Sequence, residues 1–198
     1  NSSTASATVN IIDLEPPKIV CPPDISVNLP LGQCSVYTSS INLGSPISVS
    51  DNCGVKYPVT NDKSKTTYPV GENKVTWTVT DSTGTKSTCT QKIIVMPVCG
   101  IPTKVTYSDT TSNSAKIKWQ AVNCANGYEL TIRQELLPGV WSPFGTWSRA
   151  SGPGLVHTFT GLKGNTYYSF QIRTKCTIAY SNPVVGYFHT KPGLNSGE

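Results

Sequence analysis

Apolar and polar residues alternate strictly from Val75 to Thr80. Val75, Trp77 and Val79 face one way, and Thr76, Thr78 and Thr80 the other. A period of two marks a strand with one buried face. Asp81-Ser82-Thr83-Gly84 then predicts a turn, and Lys92-Ile93-Ile94-Val95 the returning strand. Upstream, Ile25, Val27 and Leu29 form one face of a strand. Pro30-Leu31-Gly32-Gln33 turns the chain, and Cys34-Ser35-Val36-Tyr37 begins the next strand. Ile11-Ile12, closed by Glu15-Pro16-Pro17, predicts a short opening strand rather than a central one.

The same rhythm resumes after Met96-Pro97-Val98-Cys99-Gly100-Ile101-Pro102, where two prolines and a glycine end the first sheet and make a short, stiff linker. Ala115, Ile117 and Trp119 share one face, and Tyr128, Leu130 and Ile132 another. No run repeats its apolar residues at i, i+3, i+4 and i+7, so no amphipathic helix is predicted.

Composition agrees with the pattern. The 198 residues allow one or two domains. Abundant Thr, Ser, Val, Gly and Pro with only 14% charged residues favour β structure with many turns. The formal charge of +5 is modest and its lysines are scattered, which disfavours nucleic acid as a partner. No apolar run approaches the roughly 20 residues of a membrane-spanning helix. The chain opens on Asn1-Ser2-Ser3, formally a glycosylation sequon, without Met or a signal segment. It reads as a piece of a larger secreted protein.

Cys21-Pro22-Pro23-Asp24, Asp51-Asn52-Cys53-Gly54, Tyr68-Pro69-Val70-Gly71, Val79-Thr80-Asp81 and Thr88-Cys89-Thr90 follow one another in order. Together they resemble the hyalin repeat (HYR), an immunoglobulin-like extracellular module, over about 13–97. The second half resembles a fibronectin type III domain over about 99–190. Ile101-Pro102 matches that family's opening, Trp119 its core tryptophan, and Leu162 with Tyr168 its leucine and tyrosine corner. The family's proline two residues after the leucine is Gly164 here, which implies a less stiff loop.

Seven cysteines, Cys21, Cys34, Cys53, Cys89, Cys99, Cys124 and Cys176, occur without any C-x-x-C pair. They read as disulfides of an oxidising compartment rather than as zinc ligands. In the sandwich picture Cys53 with Cys89 is preferred, leaving Cys21 with Cys34. Each bridge contributes on the order of 2–4 kcal/mol. A leading Cys-Gly-x-Pro with Arg173-Thr174-Lys175-Cys176 resembles fibronectin type III versions from secreted proteins of gliding and polymer-degrading bacteria. That resemblance implies Cys99 with Cys176 and leaves Cys124 over. Cys124 with Cys176 is the competing pair.

Two features could carry binding. Leu136–Arg149 is long for the middle of such a domain and holds Trp141, Phe144, Trp147 and Arg149 as candidate ligand contacts. Exposed tryptophans could stack on sugars or anchor a protein, but large aromatics are mostly buried. The preferred reading has Trp147 capping the core and Trp141 packed beneath its own loop. Asp24, Asp51 and Asp81 raise calcium. Without a D-x-D-x-D-G array, turn formation by Asp51 and Asp81 is preferred and calcium is not favoured. His157 and His189 have no acidic neighbour in sequence that suggests a triad, and there is no G-x-S-x-G or phosphate loop, so no catalysis and no cofactor are expected.

The expectation is an all-β chain of two tandem immunoglobulin-like β-sandwiches joined by a Pro/Gly linker. Residues 1–12 form a linker, 13–97 the HYR-like sandwich, 98–192 the fibronectin type III-like one, and 193–198 a tail. The family resemblance implies a non-catalytic adhesive module and stiff spacer of a bacterial secreted or cell-surface protein such as an adhesin, meeting a surface protein or glycan. The alternative is an accessory carbohydrate-binding or spacer region of an extracellular polysaccharide- or protein-degrading enzyme.

Overall fold

A computed structural model describes residues 6, 13–55, 58–63, 66–150 and 155–193. The strand expected at Ile11-Ile12, the Asn1 sequon and all of the tail but Gly193 lie outside the described residues. What is described is all β apart from a single 3₁₀ turn at Thr38–Ser40. No described helix is long and apolar enough to cross a membrane. The chain divides into two compact units, Asn1–Val27 with Val36–Val95, and Asn28–Ser35 with Met96–Glu198.

The first unit carries β1 (Lys18–Val20), β2 (Ile25–Asn28), β3 (Ser35–Tyr37), β4 (Ser48–Ser50), β5 (Thr60–Asn61), β6 (Thr67–Pro69), β7 (Gly71–Thr80) and β8 (Lys86–Met96). Its main sheet runs β2-β8-β7-β5, and the pairs β1-β4 and β3-β6 are separate two-stranded sheets. The β7–β8 hairpin is antiparallel, with Trp77 opposite Cys89 and Gly71 opposite Val95. Strict alternation buries Val75, Trp77 and Val79 from β7 and Ile93 and Val95 from β8. Gln91 shares that inward face and is fully buried. It accepts from the Trp77 indole N–H (3.1 Å) and donates to the carbonyls of Pro23 (2.7 Å) and Leu43 (3.1 Å). One amide thereby satisfies three polar groups that would otherwise be costly to bury.

The second unit carries β9 (Thr103–Ser108), β10 (Ser114–Gln120), β11 (Gly127–Leu137), β12 (Val140–Trp141), β13 (Ser148–Arg149), β14 (Val156–Thr160), β15 (Tyr167–Lys175) and β16 (Val184–His189). One sheet is β14-β10-β9, the other β12-β11-β15-β16 with β13 also on β11. Ala115, Ile117, Trp119, Leu130, Tyr168, Phe170, Ile172 and Phe188 form the core between them. The Tyr168 hydroxyl accepts the Lys163 backbone N–H at 2.8 Å, tying β15 to the turn before it. Gly164 lies in that turn. A Cβ there would meet the Gly193 nitrogen at 3.0 Å and the Lys191 carbonyl at 3.1 Å. Backbone crowds this position, so a side chain there would require the neighbouring backbone to give by a few tenths of an ångström.

The disulfides correct the sequence expectation. Cys21 joins Cys89, Cys34 joins Cys124, Cys99 joins Cys176, and Cys53 is free and exposed. Sheet order explains the first. β2 pairs with β8, so the Cys21–Asp24 approach to β2 runs beside the inward face of β8, where Cys89 sits. Cys53 follows β4, which pairs instead with β1, and it ends in an exposed loop. Cys124 is not left over. It takes the left-handed conformation (φ 65°) in the turn before β11 and meets Cys34 of the 28–35 segment, which belongs to the second unit.

Two tests follow from this packing. Alkylation and peptide mapping without reduction should label Cys53 alone and recover the three named bridges. Gly186 of β16 has no room for a methyl group, because a Cβ would lie 2.3 Å from the Phe170 ring. Gly186→Ala should therefore cost about 1–3 kcal/mol in chemical denaturation. Val185→Ala, at a 45% exposed neighbour, should stay within about 0.5 kcal/mol.

Candidate functional site

In β11 the even positions Tyr128, Leu130 and Ile132 turn towards the core, which leaves Glu129, Thr131, Arg133 and Glu135 on the outer face. Register sets Glu129 opposite Arg173 and Arg133 opposite Ser169, and on β16 sets Tyr187 opposite Ser169. A solvent-facing sheet surface would leave these residues open, yet Glu129, Thr131 and Ser169 are buried. The cover is the 138–150 segment, which folds back along β11. The Gly145 N–H donates to the Ile132 carbonyl (3.1 Å), the Thr131 hydroxyl to the Gly145 carbonyl (2.7 Å), and the Ala150 N–H to the Tyr128 carbonyl (3.0 Å).

Two arginines anchor that segment. The Arg133 guanidinium lies 4.4 Å from the Phe144 ring and 5.0 Å from Trp141. Arg173 lies 4.0 Å from the Trp147 ring and 4.1 Å from Tyr180. Partly desolvated cation–π contacts are worth about 0.5–2 kcal/mol each. Arg173 is held in turn by Glu129, whose Oε2 accepts from its Nη2 (2.7 Å) and Nε (3.1 Å). The Tyr180 hydroxyl reaches Glu129 Oε1 at 3.3 Å, and Lys175 lies 3.9 Å from it.

The expected contact residues thus fall into two classes. Trp141, Phe144 and Trp147 are half-buried and gathered on one sheet face, each with an arginine against its ring. Trp147, expected to cap the core, lies against Arg173 on the outer face instead, and Trp141, expected beneath its own loop, packs on that same face against Arg133 and Tyr187. Arg149, on β13, is exposed and opposite Glu129. Sequence reasoning missed Arg133, Arg173, Tyr180 and Tyr187. The outward register of Arg133 and Arg173 was the available signal. The solvent-exposed part of the face comes from Tyr187 (57% exposed), Tyr167 (56%) and Tyr180 (46%). Tyr187 packs on Trp141 and Tyr167 on His189. Around these rings stand Arg133, Arg149, Arg173 and Lys175 against Glu129 and Glu135, an excess of positive charge.

An HYR-domain family model matches residues 12–95, and a fibronectin type III model matches residues 100–187. The chain is an HYR domain followed by a fibronectin type III domain. HYR and fibronectin type III domains are typical of extracellular, adhesion-type proteins and are non-catalytic module families. No curated protein sequence matches the chain. Among solved structures it is similar to a redesigned β-sandwich protein (22% identity, 51% of this chain and 99% of that one, TM-score 0.42). It is also similar to a two-domain fibronectin type III segment of chicken tenascin (16%, 64% and 72%, TM-score 0.44).

The remaining candidates lie elsewhere. His157 stands edge-on to Phe159 at 4.7 Å, and burial holds its imidazole below the usual range. Neither histidine hydrogen-bonds a carboxylate among the described residues. In the HYR domain, Asp24 accepts the Lys92 N–H (2.8 Å). Asp51 and Asp81 come together with Asp13 instead. Burial pushes the Asp81 carboxyl up, but hydrogen bonds from the Thr83 hydroxyl and from the Thr85, Thr83 and Gly84 amides outweigh it and hold the group below its ordinary value.

A double-mutant cycle on Glu129→Gln and Arg173→Met, read by denaturant unfolding, should give a coupling of about 1–3 kcal/mol. Either single change should raise iodide access to Trp147, because Arg173 would no longer be fixed under that ring.

Proposed function

We propose that this chain is a non-catalytic adhesive and spacing segment of a larger secreted or cell-surface protein. Its contact surface is the arginine–aromatic face of the fibronectin type III domain. The observation that carries this reading is three exposed tyrosines on a sheet face where Arg133 and Arg173 already pack against the tryptophan rings. Tyrosine, tryptophan and arginine are the residues over-represented where truncation costs binding most. Fixing them in advance lowers the entropy lost on binding. The excess of arginine and lysine suits a partner surface that mixes acidic and apolar side chains. Disulfides and the two module families support an extracellular location. The histidines lack acid–base partners among the described residues, which supports a role without catalysis.

The carbohydrate-binding alternative needs aromatic rings free to stack on sugars. Trp141, Phe144 and Trp147 each have an arginine against the ring, which argues for a protein partner instead.

Iodide quenching of tryptophan emission tests the choice. Trp77 and Trp119 are each 5% exposed, so the quenchable signal comes from Trp141 and Trp147. Acidic extracellular-matrix proteins should protect that signal, and Tyr187→Ser with Tyr180→Ser should abolish the protection. Protection by a polysaccharide such as chitin or cellulose, and by no protein, would replace adhesion with carbohydrate binding. No protection by either would overturn the contact surface.

A further inference from the structure

The three aspartates at one pole of the HYR domain come from separate places in the chain. Asp13 precedes β1, Asp51 follows β4, and Asp81 follows β7 and bridges to Val55. Each uses one carboxylate oxygen to order its own turn. Asp13 Oδ1 accepts the Glu15 N–H (3.1 Å), and Asp51 Oδ2 accepts the Cys53 N–H (3.0 Å). Asp81 Oδ1 accepts the Thr83 and Thr85 N–H groups and the Thr83 hydroxyl, each at 2.8 Å. In each case the second oxygen, Asp13 Oδ2, Asp51 Oδ1 and Asp81 Oδ2, is buried and accepts no N–H or O–H donor, with the weakly donating Cys53 thiol beside Asp13. One oxygen from each carboxylate lies within 4.8 Å of those of the other two. Asp81 has no exposed surface at all.

Turn formation accounts for only half of this arrangement, since asparagine would order the same turns without the charge. What it leaves over is an unpartnered oxygen on each of three carboxylates that converge within 4.8 Å, one of them on a completely buried side chain, with no cation in ion-pair contact among the described residues. Unpaired buried charge is costly, and like charges at this spacing repel. We infer that Asp13, Asp51 and Asp81 form a calcium site. The donor set is oxygen only, which suits a hard cation. Calcium holds its ligands at about 2.3–2.6 Å, so oxygens on opposite sides of the ion lie up to about 4.6–5.2 Å apart. A spacing within 4.8 Å falls inside that range. Glu15, Asn52 and Ser50 line a cavity beside Asp51, with Lys18 also on its wall, and water or further oxygens there can complete the six to eight ligands calcium takes.

The test is calorimetric titration of the EGTA-treated chain with calcium chloride, together with thermal melting with and without calcium. The expected result is one ion bound per chain and a melting temperature raised by calcium. Asp81→Asn keeps an oxygen for the turn but removes the charge, and should weaken calcium binding by about tenfold or more. Asp13→Asn and Asp51→Asn, both at less buried positions, carry the same test if Asp81→Asn fails to fold. Asp24→Asn should leave the calcium response unchanged. The inference is overturned by a wild-type chain that neither binds nor is stabilised by millimolar calcium, or by an undiminished response in the three variants. A response to magnesium alone would overturn the assignment to calcium.

Discussion

The Glu129–Arg173 ion pair is the contact on which the outer face of the fibronectin type III domain depends. Alternation along β11 and β15 obliges every second residue to leave the core, and these two leave it directly opposite one another. On an open sheet such a pair would be worth little. Here the 138–150 segment lies over it, and a shielded, two-pronged arginine–carboxylate contact is stronger and more directional. The order of dependence runs outward from it. Glu129 fixes Arg173, Arg173 offers its guanidinium face to Trp147 and Tyr180, and those rings hold the segment and the β15–β16 connection. Arg133, farther along β11, makes the same kind of ring contact with Phe144 and Trp141 but has no carboxylate partner among the described residues.

Much of this fold was legible in the chain, because a period of two needs no long-range information. The alternation over Val75–Thr80 and Ala115–Trp119 appears as strands with the expected residues inward. The tyrosine corner also follows from local spacing, and its hydrogen bond falls within the same turn. Cysteine pairing is a different kind of property. Cys21 and Cys89 are 68 residues apart, and Cys34 and Cys124 are 90 apart. Their meeting depends on which strand borders which. Cys53 looked like a partner for Cys89 because its strand was placed beside β8, a neighbour relation that no local pattern encodes.

The candidate surfaces divide along the same line. Trp141, Phe144 and Trp147 drew notice as an aromatic cluster in an unusually long segment. That their outward support would be Arg133 and Arg173 could be read only once the β11–β15 register was known. Aromatic residues on such a segment invite a choice between core and solvent, and the third course taken here, packing on the back of a sheet, requires a charged residue to receive them. Gly164 shows the converse. Its sequence suggests looseness, whereas backbone of Lys191 and Gly193 packs close on two sides of it.

The aspartate cluster carries the argument furthest from sequence. Asp51 and Asp81 were recognisable as turn formers, and they are turn formers, but Asp13 sits in a stretch with no motif of its own. A calcium loop of the contiguous kind announces itself because its ligands follow at fixed short intervals. Ligands gathered from three loops leave no such signature, and their absence from a linear array says nothing about convergence at a sandwich pole. The physical mark is instead a mismatch of supply and demand. Each turn needs one acceptor oxygen and each carboxylate brings two, so three carboxylates that converge each carry an oxygen the turns do not use. Geometry that satisfies the backbone and still concentrates unsatisfied charge is better explained by a bound cation than by the turns alone.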